Sequence, residues 1–221
     1  ISGTHAQALS AKEELEKAYP SSKVHVIDTA NASLGSGLLA LKACEMKEAG
    51  KSAEEVAVWA QENAYTVNSY VTVGDLKYLR KGGRVSAVAA IAGTLLNIKP
   101  VLWANDTTPA KLAVCGKERG KKKALSAIIK AFDDNVLDAE NQTVAIAHAD
   151  CIEDANEIAE ALKTRGVKDI IIEYYDLCTG SHAGPGTVAL FFFGKSRLKE
   201  ATESVGQKKP ILNPFKHKAQ S

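Results

Sequence analysis

Apolar residues recur along this chain with two periods, helical and alternating, and the points where one gives way to the other lay out an order of elements. Ala8, Leu15 and Ala18 share a helical face that runs to about Tyr19, with Ser2 or Thr4 able to cap its start and Pro20 beyond its end. That face is expected to meet the core. Val24-His25-Val26-Ile27-Asp28 reads as a strand and Ser33 to Ala49 as a helix stopped by Gly50. Ser52-Ala53-Glu54-Glu55 is a capping box opening a third helix, apolar at Val56, Trp59 and Ala60.

The pattern changes after Asn68–Val73. Ile98–Ala104 and Lys111–Cys115 look like strands joined through Asn105-Asp106-Thr107-Thr108-Pro109, a hairpin that makes part of the sheet antiparallel. Lys121–Phe132 reads as a helix, Thr143–His148 as a strand and Glu153–Lys163 as a helix ended by Gly166. Asp169–Tyr174 and Val188–Phe193 are two further strands. Helices interleaved with strands define an α/β protein. A domain change is expected near Val71, giving a first α/β domain over residues 1–70 and a second, with a mixed sheet, over 71–198. Periodicity fades from Leu198, and Pro210, Pro214 and several lysines mark residues 199–221 as a polar tail.

Composition narrows the classes of function. With 45% hydrophobic residues in 221, the chain can bury a core as one large or two modest domains. Its 28 basic residues against 26 acidic ones argue against a surface tuned as a whole to nucleic acid or membrane. The densest basic run, Lys117, Arg119 and Lys121–Lys123, has no interleaved aromatics and reads as a solvated helix start. Cys44, Cys115, Cys151 and Cys178 have neither zinc nor dithiol spacing, which fits reduced thiols in a cytoplasmic protein. His5, His25, His148 and His217 share no metal-ligand spacing, and no metal site is expected. The longest apolar stretch, Val85–Leu96, is too short to span a bilayer, and no basic-then-apolar leader opens the sequence.

Three segments carry candidate chemistry. Ser2-Gly3-Thr4 can turn hydroxyls and helix-start N–H groups toward a carboxylate or phosphate, although capping alone explains the triplet equally well. In Leu79-Arg80-Lys81-Gly82-Gly83-Arg84 a doubled glycine follows a short helix, Asp75–Arg80, and the Arg84 guanidinium just beyond suits a carboxylate; a helix end followed by a solvated arginine is the plainer account. Gly180-Ser181-His182-Ala183-Gly184-Pro185-Gly186 concentrates backbone freedom around one histidine, as in a loop that projects an imidazole into a cleft or as in an ordinary surface loop. Val85–Leu96, apolar on nearly every helical face, is either core or the wall of an apolar tunnel. Asp28 to Gly37 is a polar strand-to-helix loop at a place where open α/β sheets hold ligands, without a nucleotide-binding fingerprint.

Taken in order, Ser2-Gly3-Thr4, Asp28–Gly37, Tyr78–Arg84, Ile98-Lys99-Pro100-Val101-Leu102 and His182-Ala183-Gly184-Pro185-Gly186 resemble the DegV family of bacterial proteins over residues 1 to about 197. The resemblance implies a two-domain fold, the first domain a parallel three-layer α/β sheet and the second a mixed sheet with helices. Members ordinarily carry a further α/β segment before the Ser-Gly-Thr triplet, so the first sheet is expected to be incomplete on its N-terminal side. It also implies a cytoplasmic carrier, not an enzyme, with a long-chain fatty acid as ligand and no cofactor. Ser2, Thr4, Arg84 and His182 would hold the carboxylate, with lesser contributions from Gly83, Ile91 and Gly184 along the loops and tunnel wall. The implied partner is a fatty acid kinase that phosphorylates the bound acid and feeds acyl-phosphate into phospholipid synthesis. The alternative is an enzyme or kinase subunit acting on a small carbonyl or phosphorylated substrate through His182.

Overall fold

The computed structural model describes residues 2–84, 97–104 and 112–198. The apolar stretch Val85–Leu96 with its Ile91, the hairpin connection 105–109 and the tail 199–221 lie outside those residues.

Three helices come first: α1 (Thr4–Ala18), α2 (Leu34–Glu48) and α3 (Ala53–Asn63). The box anticipated for α3 is present, with Ser52 accepting from the Glu55 backbone and the Glu55 carboxylate accepting from Ser52. The sheet begins at β1 (Val67–Thr72), followed by the one-turn helix α4 (Lys77–Lys81) and the strands β2 (Ile98–Ala104) and β3 (Leu112–Arg119). Then come α5 (Lys121–Asn135), β4 (Thr143–Ala149), α6 (Ile152–Lys163), β5 (Asp169–Tyr174), α7 (Leu177–Ala183) and β6 (Thr187–Phe193).

The described strands form one six-stranded sheet in the order β3-β2-β1-β6-β4-β5. Only β4 and β5 run parallel, so the sheet is mixed. Its centre is apolar on both faces because both are covered. Tyr70, Val144, Ile146, Val188, Leu190 and Phe192 point to the side of α5 and α6, where they meet Leu125, Ile128, Phe132, Ile158 and Leu162. Val67, Val71, Ala145, Ala147, Ala189 and Phe191 point the other way, toward Leu38 and Leu39 of α2. Gly35 lets that helix sit close: a Cβ there would come within 3.0 Å of the Phe191 ring. The domain change expected at 70/71 falls within β1, and α2, from the segment before it, packs on the same sheet.

Two expectations fail in the N-terminal part. Val24–Asp28, patterned as a strand, is not in a ladder; Val24 is held by its N–H to Glu16 and its carbonyl to Lys12. A strand needs a neighbour to satisfy its backbone, and none of the described strands reaches it. Helix α1 buries no residue, and Leu15 is 46% exposed, because no described element covers the Ala8–Leu15–Ala18 face.

Arg197 closes the structure beyond β6. It is 5% exposed and donates to the carbonyls of Ala104 (2.8 Å) and Ala30 (3.0 Å), with its guanidinium 5.4 Å from the centre of the Tyr65 ring. Its backbone N–H bonds Tyr65 O at 2.9 Å.

Candidate anion-binding site

Beyond β1 the chain turns into α4, five residues long, and this helix packs against the seven-residue α7. Helices so short are not stable alone. Two rings and two glycines join them. On α4, Tyr78 lies over Gly184, where a Cβ would come within 2.8 Å of Tyr78 Cε2 and closer still to two other ring atoms. On α7, His182 lies over Gly82, where a Cβ would come within 3.2 Å of its Cε1 and overlap its Nδ1. A third close approach, Gly74 against Pro185 and Gly186, draws the same segments together at their other end.

The glycines differ in what they supply. Gly83 (φ +70°) and Gly184 (φ +78°) adopt a left-handed conformation that favours glycine. Gly82, at φ −75° and ψ −10°, adopts one open to any residue, so only the neighbouring imidazole requires its lack of a side chain.

Arg84 stands two residues on. Its backbone N–H bonds Leu79 O at 3.0 Å, closing the end of α4, and its guanidinium Nη1 donates to Gly82 O. Arg84 and His182, the arginine and histidine expected at the site, therefore meet on one glycine, and both are half-buried. Beside Gly82 and His182 opens a cavity of about 1300 Å³ whose described lining includes Val73, Tyr78, Gly82, Ile98, Pro100 and His182; Arg84, bonded to the Gly82 carbonyl, is not itself among the described lining residues. Lys99 also lines it, its Nζ donating to Gly74 O at 2.7 Å. Arg80 and Lys81 bring positive charge to the same wall, and Asp75 pairs with Lys77 at 2.9 Å. A cavity walled by apolar side chains and rimmed by cations suits an amphiphile with an anionic end.

His182 was expected on a loop; it sits instead in α7, despite Gly180. Asp176 makes that helix, its carboxylate accepting from Thr179 N–H at 2.9 Å. The hydrogen bonds from Thr179 hold the Asp176 carboxyl below the usual carboxylate range.

Ser2 and Thr4 lie elsewhere. Ser2 Oγ donates to Thr4 Oγ1 at 2.9 Å, both residues are exposed, and neither is among the described residues that line the cavity. The loop from Asp28 is a polar knot on the α2 side of the sheet, where Asn31 accepts from Ser69 Oγ and donates to Val67 O at 3.1 Å. The seats for Tyr78 and His182 were not evident in the sequence. Gly82 stood out there as half of a turn signal, and only the fold reveals which ring it faces.

Among the described residues no group of three or more His, Cys, Asp or Glu side chains is placed to hold a metal ion, and no helix is long and apolar enough to cross a membrane.

Comparison with known proteins identifies the family. The family model described as "Uncharacterised protein, DegV family" matches residues 1–195. A DegV domain-containing protein of Clostridium perfringens is 41% identical over 198 residues, 89% of this chain and 67% of its own. The chain thus spans about two thirds of the length of the curated relatives it matches. A DegV family protein from Ruminococcus gnavus, whose crystal structure is described with vaccenic acid, is similar at a TM-score of 0.79 and 30% identity, covering 86% of this chain and 68% of that one. One from Eubacterium eligens, loaded with heptadecanoic acid, is similar at a TM-score of 0.79 and 26% identity over 88% of this chain and 70% of that one. With a family model matched over nearly all of the described residues and a relative sharing two residues in five, the chain belongs to the DegV family.

Proposed function

We propose that this protein is a cytoplasmic carrier that binds a long-chain fatty acid in an interdomain tunnel, with the carboxylate bound by Arg84 and His182 and the acyl chain in apolar space leading away from them. The observation that carries this reading is the meeting of a guanidinium and an imidazole on Gly82 beside a cavity of about 1300 Å³. Relatives described with vaccenic and heptadecanoic acids support the ligand class. The free state of all four cysteines fits a reducing compartment.

The energetics assign separate tasks to the two ends of the ligand. Burying about 15 methylenes at about 0.8 kcal/mol each gives about 12 kcal/mol of gross driving force. Ordering and association offset several kcal/mol of that. The tail would supply affinity, and the polar groups would prevent the cost of an unpaired carboxylate and fix its orientation. Gly83 and Gly184 would let backbone approach the ligand; Ser2 and Thr4, which the resemblance assigns to the carboxylate as hydroxyl donors, stand outside the described lining of this cavity, and Ile91, assigned to the tunnel wall, lies outside the described residues. The family resemblance supplies the next step, presentation of the carboxylate to a partner fatty acid kinase that converts it to acyl-phosphate, with no turnover by the carrier itself.

Denaturing extraction of the purified protein followed by mass spectrometry is expected to release a long-chain fatty acid in near-stoichiometric amount. Absence of any such acid, together with no binding of added vaccenate or heptadecanoate, would overturn the reading. A covalent adduct of His182 with a small ketone would favour the enzymatic alternative.

A further inference from the structure

We infer that Gly82 is the positioning residue of the anion site: its carbonyl receives the Arg84 guanidinium, and the space its side chain would occupy holds the His182 imidazole. This rests on the proposed carboxylate-binding role of Arg84 and His182 and adds a reason for their meeting.

Arg84 Nη1 donates to Gly82 O, and a Cβ at Gly82 would overlap His182 Nδ1 and come within 3.2–3.3 Å of Cε1 and Cγ. The φ and ψ of Gly82 suit an alanine, so backbone conformation does not call for glycine there. Gly83 next to it is the opposite case, left-handed and with nothing within 4 Å of an added Cβ. Of the paired glycines, one turns the chain and the other makes room for the ring. Tyr78 on Gly184 keeps α4 and α7 in register around that contact. A methyl group at Gly82 displaces the imidazole while the carbonyl that holds Arg84 stays in place.

Gly82→Ala, Gly83→Ala, His182→Ala and the double variant Gly82→Ala/His182→Ala test this in the full chain. Without ligand, the His182 imidazole resonances, assigned by their loss in His182→Ala, are expected to shift in Gly82→Ala while those of His5, His25 and His148 stay put. Unmoved His182 signals in a folded Gly82→Ala protein overturn the inference. With heptadecanoate as probe, Gly82→Ala is expected to weaken binding about tenfold, which the double variant does not deepen beyond His182→Ala. A full additional tenfold loss in the double variant overturns it, because Gly82 would then act by a route other than His182. Gly83→Ala is expected to lower stability and leave the His182 resonances in place; the same displacement there would show a general loosening of the turn and overturn the specific role of Gly82. If wild-type protein binds no fatty acid, the carrier reading fails, while the ligand-free resonances still decide the role of Gly82.

Discussion

At the scale of single residues, the proposed carboxylate donors differ in charge and in place. Arg84 would offer a charge-assisted bond from a half-buried position, whereas Ser2, exposed and outside the described cavity lining, would offer at most a neutral one. Charged hydrogen bonds contribute roughly 1.5–3 kcal/mol and neutral ones roughly 0.5–1.5. Fluorescent-fatty-acid displacement is therefore expected to give at least about a tenfold loss for Arg84→Ala and only a few-fold loss for Ser2→Ala. Equal losses would place Ser2 at the carboxylate as firmly as the arginine. Cys151 makes a different case. It is 5% exposed, with Sγ donating to Thr187 O at 3.2 Å, and burial pushes its thiol up to about 11. A thiol reagent at pH 8 is expected to modify exposed Cys44 and Cys178 in the native protein and to reach Cys151 only after denaturation.

At the scale of elements, legibility depended on whether a segment makes its own case. The capping box of α3 and the near-continuous apolar runs of β4 and β6 are local signals, and the structure matches them. Helix α7 is the contrary example, because Gly180 and Gly184 suggest a loop until Asp176 is seen to cap the turn and α4 to support it. Asp176→Ala is expected to cost about 1 kcal/mol and to speed amide exchange from Thr179 to His182. The pH dependence has a definite sign. A depressed carboxyl pKa in the folded state means that the cap stabilises fully above the ordinary Asp value of 3.8 and that this contribution fades as pH falls through the lower folded one. Asp176→Asn, a cap without a charge, is expected to remove that fading and keep most of the helix.

At the scale of the whole molecule, α/β architecture and a mixed sheet were readable because buried strands and amphipathic helices alternate along the sequence. The pairing was not, since β6, last of the described strands, lies between β1 and β4, and no local pattern encodes that insertion. The failed expectations at Val24–Asp28 and α1 have the same origin: period and burial match only where another element supplies the second surface. Hydrogen exchange is expected to follow this division, with β1, β6 and β4 protected to the level of global unfolding and α1 exchanging through local opening. Equal protection of α1 and β6 would mean that α1 is covered in solution.

Arg197 bears on how far the protein can be shortened. Four residues after the end of β6, its side chain joins the carbonyl before the 105–111 connection to the one at Ala30, and its main chain is tied to Tyr65. A version ending at Phe193 would keep every strand of the sheet yet release three distant stretches of backbone at once, exposing carbonyls that had lost their donor. A functional C-terminal limit therefore lies past β6, and a deletion series monitored by thermal melting is expected to break between a chain retaining Arg197 and one ending before it.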